Sequence, residues 1–249
     1  MTPRQTALIA LLEAEGSQPI SRLAARLAVS DETARRDVAQ LAAAGRLVRV
    51  HGAVGLAGAL GEAPYARRMR ENAAAKRAIA AAAAAMIADG ETLMLDTGTT
   101  TAWLARALAR HRRLTVVTNS TDIARLLAAG EGNRVHLAGG ALHPDSAAAF
   151  GAEALGFLAR FRVGLTVISA AALDAGGVLD AEPDEADLAR VMLDAAERRM
   201  VVADASKFLR PALARVAGFD RIGDLVTDAA PPPAIAAALE AAGTRLHLV

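Results

Sequence analysis

The densest chemistry in the chain lies in six residues, Asp96-Thr97-Gly98-Thr99-Thr100-Thr101. They follow the apolar run Leu93-Met94-Leu95 and precede a helical stretch. A glycine and four hydroxyls at a strand-to-helix turn supply backbone N–H groups, the positive end of a helix and side-chain donors, which a phosphate requires. Three further apolar runs end in the same way. Val116-Val117 leads into Thr118-Asn119-Ser120-Thr121, Leu137-Ala138 into Gly139-Gly140, and Val202-Ala203 into Asp204-Ala205-Ser206-Lys207. Ligands of open α/β sheets sit at the carboxyl ends of the strands. The four ends together, with Asp96 through Thr101, Asn119, Ser120, Gly139, Gly140, Asp204 and Lys207, describe a site for a small anionic polyol. Each segment alone also reads as an ordinary capped turn.

A second constellation lies near the N-terminus. Ser30, a capping residue, is followed by Asp31-Glu32, by Thr33, by the adjacent Arg35 and Arg36, and by an apolar face of Ala34, Val38 and Leu41 at i, i+4, i+7. Beyond Gly45, which fits the position after a helix end, the run Leu47–Val50 carries Arg49 and leads to His51 and a series of glycines. This is the pattern of a helix-turn-helix with a hairpin wing, in which Ser30, Thr33, Arg35, Arg36, Arg49 and His51 face duplex DNA.

The elements that must position these residues follow from periodicity. Thr2-Pro3 opens a first helix with Leu8, Ile9, Leu11 and Leu12 on one face. Ser21 opens a second carrying Leu23, Ala24 and Leu27, and the third begins at Ser30. A charged bridge, Arg67–Asn72, leads into an Ala-rich helix, Asn72–Ala88. Strand-like runs at Thr92–Leu95, Leu114–Thr118, Val135–Ala138, Val163–Ser169 and Met200–Ala203 then alternate with helical stretches, with further strands at Leu225–Thr227 and Arg245–Val249. Such alternation predicts an α/β fold with a mainly parallel sheet. The domains expected are a winged helix-turn-helix at 1–57, a linker at 58–72 and an α/β domain at 73–249.

Composition bounds the rest. Of 249 residues 53% are apolar and only 3% aromatic, so the core is of small, closely packed side chains. The absence of cysteine excludes disulfides and thiolate metal sites. The five histidines show no ligand spacing, and the acids around Pro183 suit a helix first turn better than a metal cluster. The beginning of the sequence lacks a basic-then-apolar signal pattern, which fits a cytoplasmic protein. Residues 1–50 carry seven Arg against five acids, a net +2 on an otherwise near-neutral chain. Of 28 basic residues only Lys76 and Lys207 are lysine, in a chain that otherwise uses arginine. Each therefore stands out, since Arg and Lys are not interchangeable where a compact point charge is needed, although a solvated surface charge is the usual fate of a Lys.

Val29-Ser30, Thr33-Ala-Arg-Arg-Asp37, Leu41, Gly45 and Arg49-Val-His-Gly52 together resemble the DNA-binding signature of the DeoR family of bacterial transcriptional regulators. Lys76, Leu95–Thr101, Val117-Thr-Asn-Ser120, Gly139-Gly140, Gly151 and Ala203-Asp-Ala-Ser-Lys-Phe208 are similar to the family's sensor half in order and spacing. Ala34 departs from the usual Ile, Ala53 from the second wing glycine, and His143 stands near a usual Arg. The resemblance implies a sensor domain related to ribose-5-phosphate isomerase and CoA transferases. It also implies a phosphorylated sugar or polyol effector, operator DNA as partner, no cofactor, and repression of a carbohydrate or polyol catabolic operon. A weakly charged single head suggests a homodimer or homotetramer. The alternative reading is a sugar-phosphate isomerase-like enzyme.

Overall fold

In the computed structural model, residues 1–15, 18–50, 53–56 and 62–249 are described. The chain divides into two compact units, one formed by Met1–Ala63 with Pro211–Leu213 and the other by Pro64–Arg210 with Ala214–Val249. The part of the expected linker from Pro64 onward thus groups with the second unit.

The first unit contains helices α1 (Pro3–Glu15), α2 (Ile20–Arg26) and α3 (Asp31–Ala43), and strands β1 (Gln18–Pro19), β2 (Leu47–Val50) and β3 (Ala53–Leu56). β2 and β3 form the antiparallel hairpin expected of the wing, and β1 adds a third strand on β3 that the sequence pattern did not signal. The core gathers Leu8, Ile9, Leu12, Leu23, Val38, Leu41, Leu47 and Val54. Ser30 caps α3 as its residue type requires, accepting from the Thr33 N–H at 3.3 Å, and Gly45 adopts φ +68° just beyond the helix end. Asp37, on the inner side of α3, is 3% exposed and takes a two-pronged contact from the Arg4 guanidinium of α1. That hydrogen bond holds its carboxyl below the usual carboxylate range, against the opposing effect of burial.

The second unit begins with the short helix α4 (Tyr65–Arg68) and continues with α5 (Ala73–Ala85), β4 (Thr92–Leu95), α6 (Thr99–Ala107), β5 (Thr115–Thr118), α7 (Thr121–Ala128), β6 (Arg134–Leu137), α8 (Ala152–Leu158) and β7 (Val163–Ser169). Then come β8 (Ala172–Asp174), β9 (Gly177–Asp180), α9 (Pro183–Asp194), β10 (Ala196–Val202), β11 (Ala214–Ala217), β12 (Asp224–Thr227), α10 (Pro233–Ala242) and β13 (Arg245–Leu248). Seven strands form one parallel sheet in the order β13-β12-β10-β7-β4-β5-β6. β10 starts four residues earlier than its apolar run suggests. Its polar opening, Glu197-Arg198-Arg199, still pairs its backbone with β7. A small antiparallel sheet, β11-β9-β8, lies outside this rhythm.

Alternate residues of the strands supply two cores, as a sheet covered on both faces demands. Leu93, Leu95, Val116, Leu165 and Val167 pack with Ile79, Leu104 and Ile123 of α5, α6 and α7. Met94, Val117, Ile168 and Val201 pack with Leu158, Leu188, Leu193 and Ile235 of α8, α9 and α10. The chain builds β4, β5 and β6 outward in one direction, then β7, β10, β12 and β13 in the other. The strand order therefore reverses between β4 and β7, and a crevice at the carboxyl edge is expected there.

Gly98, at the carboxyl end of β4, sits at this reversal. Its φ of −66° is ordinary. What demands glycine is the approach of β7, because a Cβ on residue 98 would meet Ser169 Oγ at 1.7 Å.

Two expectations follow. Replacing Asp37 by Ala will loosen the first unit at neutral pH, seen as faster hydrogen exchange in α1 and α3. Because the folded carboxyl ionises more readily than the unfolded one, its contribution is present above the ordinary value near about 4 and is lost as pH falls further. The gap between variant and wild type will therefore close on acidification. Gly98→Ala will cost the second unit about 1–3 kcal/mol in denaturant titration, the usual penalty of overpacking a filled site. An unchanged midpoint would mean that β7 yields without strain.

Candidate functional site

The site grows from Asp96, the first residue beyond β4. Its Oδ1 accepts from the Gly98 N–H at 3.1 Å and the Thr101 hydroxyl at 2.6 Å. Its Oδ2 accepts from the Ser169 N–H at 2.7 Å and the Ser169 hydroxyl at 3.0 Å. Burial pushes this carboxyl above the usual range, while the four donors pull the other way and favour the carboxylate. Asp96 and Thr101, expected to touch a ligand, are thus committed to bracing the turn and joining β4 to β7. The first-turn N–H groups of α6 have no acceptor within the helix. Thr97 and Thr100 are nearly buried beside them, and the Thr97 hydroxyl finds no protein partner.

Lys76 reaches this turn from α5. Although it is only 3% exposed, its ammonium donates to the Thr99 hydroxyl at 3.0 Å and to the Arg68 carbonyl at 2.6 Å. Lys207, beyond β10, is 7% exposed. Lysines are almost never so buried unless paired. Both lysines of the chain are buried, and both belong to the carboxyl edge of the sheet, where they supply positive charge.

Asn119 follows β5 and is fully buried. Its Nδ2 donates to the Ala149 carbonyl at 3.0 Å, which orients the amide and leaves Oδ1 without a partner. Ser120, by contrast, spends its hydroxyl capping α7. Asp204 follows β10. Its Oδ1 accepts from Asn72 Nδ2 at 3.0 Å and from Ser206, while its Oδ2 is buried and unpartnered. Gly139 and Gly140 follow β6 and are exposed. Gly140 has φ +130°, which disfavours any side chain.

Among the described residues seven buried side-chain polar atoms lack a partner, and five belong to the carboxyl edge: Thr97 Oγ1, Asn119 Oδ1, Ser146 Oγ, Asp204 Oδ2 and Thr227 Oγ1. An unmet buried polar group costs about 1–3 kcal/mol, so such a set makes this edge the candidate site. Asn119 Oδ1 and Asp204 Oδ2 can only accept and therefore call for hydroxyl donors. Ser146, Ser169 and Thr227 are not legible as site residues, since only the fold brings these distant positions to one edge of the sheet. No group of acids and histidines suited to a metal ion occurs among the described residues.

In the first unit Arg35 and Arg36 are exposed on α3, opposite Ala34 and Val38. Ser30 and Thr33 bond each other at 2.9 Å and serve the cap. Ala34, smaller than the residue usual there, is nonetheless fully buried. The Arg49 side chain and His51 lie outside the described residues, as do most of the glycines that follow.

Residues 4–58 match the family model described as the DeoR-like helix-turn-helix domain, and residues 71–229 match the DeoR C terminal sensor domain. The transcriptional repressor AccR of Agrobacterium fabrum is 37% identical over 228 residues, covering 90% of this chain and 88% of its own. The glycerol-3-phosphate regulon repressor of Escherichia coli is 31% identical over 235 residues, covering 94% and 93%. Among solved structures, ribose 5-phosphate isomerase A from Methanocaldococcus jannaschii is similar with a TM-score of 0.41 at 16% identity over 56% of each chain. Likeness at that level says nothing of chemistry. With two family segments in order, and relatives at 31% and 37% identity over 90% or more of its length, the chain belongs to the DeoR family of transcriptional regulators.

Proposed function

We propose that this chain represses a carbohydrate or polyol catabolic operon and is controlled by a phosphorylated sugar or polyol that it binds without turning over. The observation that carries the effector reading is the set of five unpartnered buried polar atoms beside two buried lysines at one edge of the sheet. The turn of Thr97, Gly98, Thr99 and Thr100 with Lys76 and Lys207 receives the phosphate. Asn119 and Asp204 receive the hydroxyls, and Gly139 and Gly140 leave room for the ligand's body. Relatives named as transcriptional repressors, one of them of a glycerol-3-phosphate regulon, support the same reading.

In the DNA-binding unit α3 lies in the major groove, with Arg35 and Arg36 on phosphates or base edges and Arg49 and His51 on the wing. A head with a net charge near +2 cannot alone supply the roughly 4–10 kcal/mol of specificity that a regulator needs. Two or four heads on one homodimer or homotetramer reach it through effective concentration. In this reading the protein works in the cytoplasm, beside its operator. No helix among the described residues is long and apolar enough to cross a membrane.

Two measurements test the reading. Arg35→Ala with Arg36→Ala will weaken operator binding in gel-shift titration by about 1–3 kcal/mol for each lost base contact. Wild-type affinity in that variant would remove α3 from the groove. Calorimetry with sugar and polyol phosphates, each against its dephosphorylated form, will show binding that needs the phosphate and that Lys207→Ala weakens by about tenfold or more, the scale of one lost charged hydrogen bond. Equal binding of the free sugars would refute the phosphate cradle. Steady consumption of a ligand would place the isomerase-like reading first.

A further inference from the structure

The stretch 65–72 opens the second unit, and the chain runs back from it to the DNA-binding head through 57–63. Its eight residues include the one-turn helix α4, which is too short to hold itself together. The Pro64 position offers α4 no side-chain cap. Instead the Tyr65 N–H donates to the Asp145 carboxylate at 2.7 Å, and Asp145 lies on the loop after β6 that also carries Ser146. At the other end of α4 the Arg68 carbonyl accepts from the Lys76 ammonium, which simultaneously holds Thr99 in the turn after β4. Asn72 closes the stretch in the left-handed region, at φ +52°. Its side chain does not cap α5 but donates to Asp204 Oδ1 and, at 3.1 Å, to Ser206 Oγ after β10.

Two loops of the candidate ligand site, and Lys76 of α5 that also holds the turn after β4, thus grip this stretch at three different points. Two of the gripping groups lie beside atoms that a ligand would engage. Asp204 presents one oxygen to Asn72 and leaves the other unpartnered, and Lys76 divides its donors between the Arg68 carbonyl and Thr99. An open cleft of about 360 Å³, lined by Tyr65, Met69, Arg106, Arg125 and Leu126, lies along α4 between α6 and α7.

We infer that residues 65–72 are the output element of the sensor, held in one arrangement by Asp145, Lys76 and Asn72 and released or tightened when a ligand engages the same loops. The inference rests on the effector reading above. An anion at the Thr97–Thr100 turn draws the Lys76 ammonium toward itself and away from the Arg68 carbonyl. A hydroxyl on Asp204 Oδ2 pulls on the same carboxylate whose Oδ1 Asn72 holds. A ligand shifts an equilibrium only through differential contact with its two states, and these shared groups supply that difference.

The test uses the full chain on a duplex that the wild-type protein selects from a random pool. Operator affinity is measured alone and with inorganic phosphate or glycerol 3-phosphate, for wild type, Asn72→Ala and Asp145→Ala, while calorimetry follows binding of the same probes. Both variants should bind the probes as wild type does. Their probe-free operator affinity should shift by about fivefold or more, in the direction a bound probe shifts wild type, and the probe-induced change should shrink to about twofold or less. If neither probe binds wild type, the effector reading loses these ligands, and the probe-free shift in both variants still decides the inference. Variants matching wild type in probe-free affinity and in response overturn it. Probe binding that falls in step with the lost response also overturns it, because the two residues would then merely hold the ligand site. A wild-type chain that selects no duplex overturns the DNA-binding reading and this inference with it.

Discussion

The second unit turns on one carboxylate. Asp96 takes donors from the turn that follows it, from the first turn of α6 and from the end of β7, and so fastens together the two strands between which the sheet reverses direction. That fastening requires Ser169 to lie against residue 98, and only glycine leaves it room. The reversal point is therefore shaped by an interaction that uses up its most conspicuous acid, and both oxygens of Asp96 are spent on bracing it.

Those groups divide by what they have left to give. Thr101 and Ser120 spend their hydroxyls on the turn and on a helix cap. Thr97, Asn119, Ser146, Asp204 and Thr227 keep a buried polar atom unspent, and two buried ammonium groups stand among the same strand ends. Folding tolerates unmet polar atoms poorly, so their concentration at one edge is the observation on which the proposed binding site rests. In the first unit the buried Asp37, held by the exposed Arg4, and the Ser30 cap hold α3 in place while its arginines remain exposed.

Much of this was legible before any coordinates. The strands Thr92–Leu95 and Val163–Ser169 fall where their apolar runs place them, because a parallel strand covered on both faces must be apolar throughout. Ser30 and Gly45 announced the bounds of α3 through local backbone chemistry. The scarcity of lysine pointed to Lys76 and Lys207, both of which are buried. What escaped was non-local. The two-residue β1 and three-residue β8 are too brief for periodicity to register, and β9 and β11 belong with β8 to a sheet outside the α/β rhythm. Asn72 looks like an ordinary helix-start residue in sequence, and its bond to Asp204 spans 132 positions. Asp96 was legible as a site residue but not as a brace, since its partner Ser169 comes from a strand 73 positions away.

The account stands on the claim that the unspent polar atoms at the carboxyl edge await one phosphorylated, hydroxylated ligand. The most direct measurement is a crystal structure of the full chain grown with a polyol phosphate, at a resolution that shows ordered water. The account predicts the phosphate over the first turn of α6, within hydrogen-bond reach of Thr97, Thr100 and Lys207, and ligand hydroxyls on Asn119 Oδ1 and Asp204 Oδ2. Ordered waters satisfying all of these atoms, with the ligand absent or bound elsewhere, would contradict it.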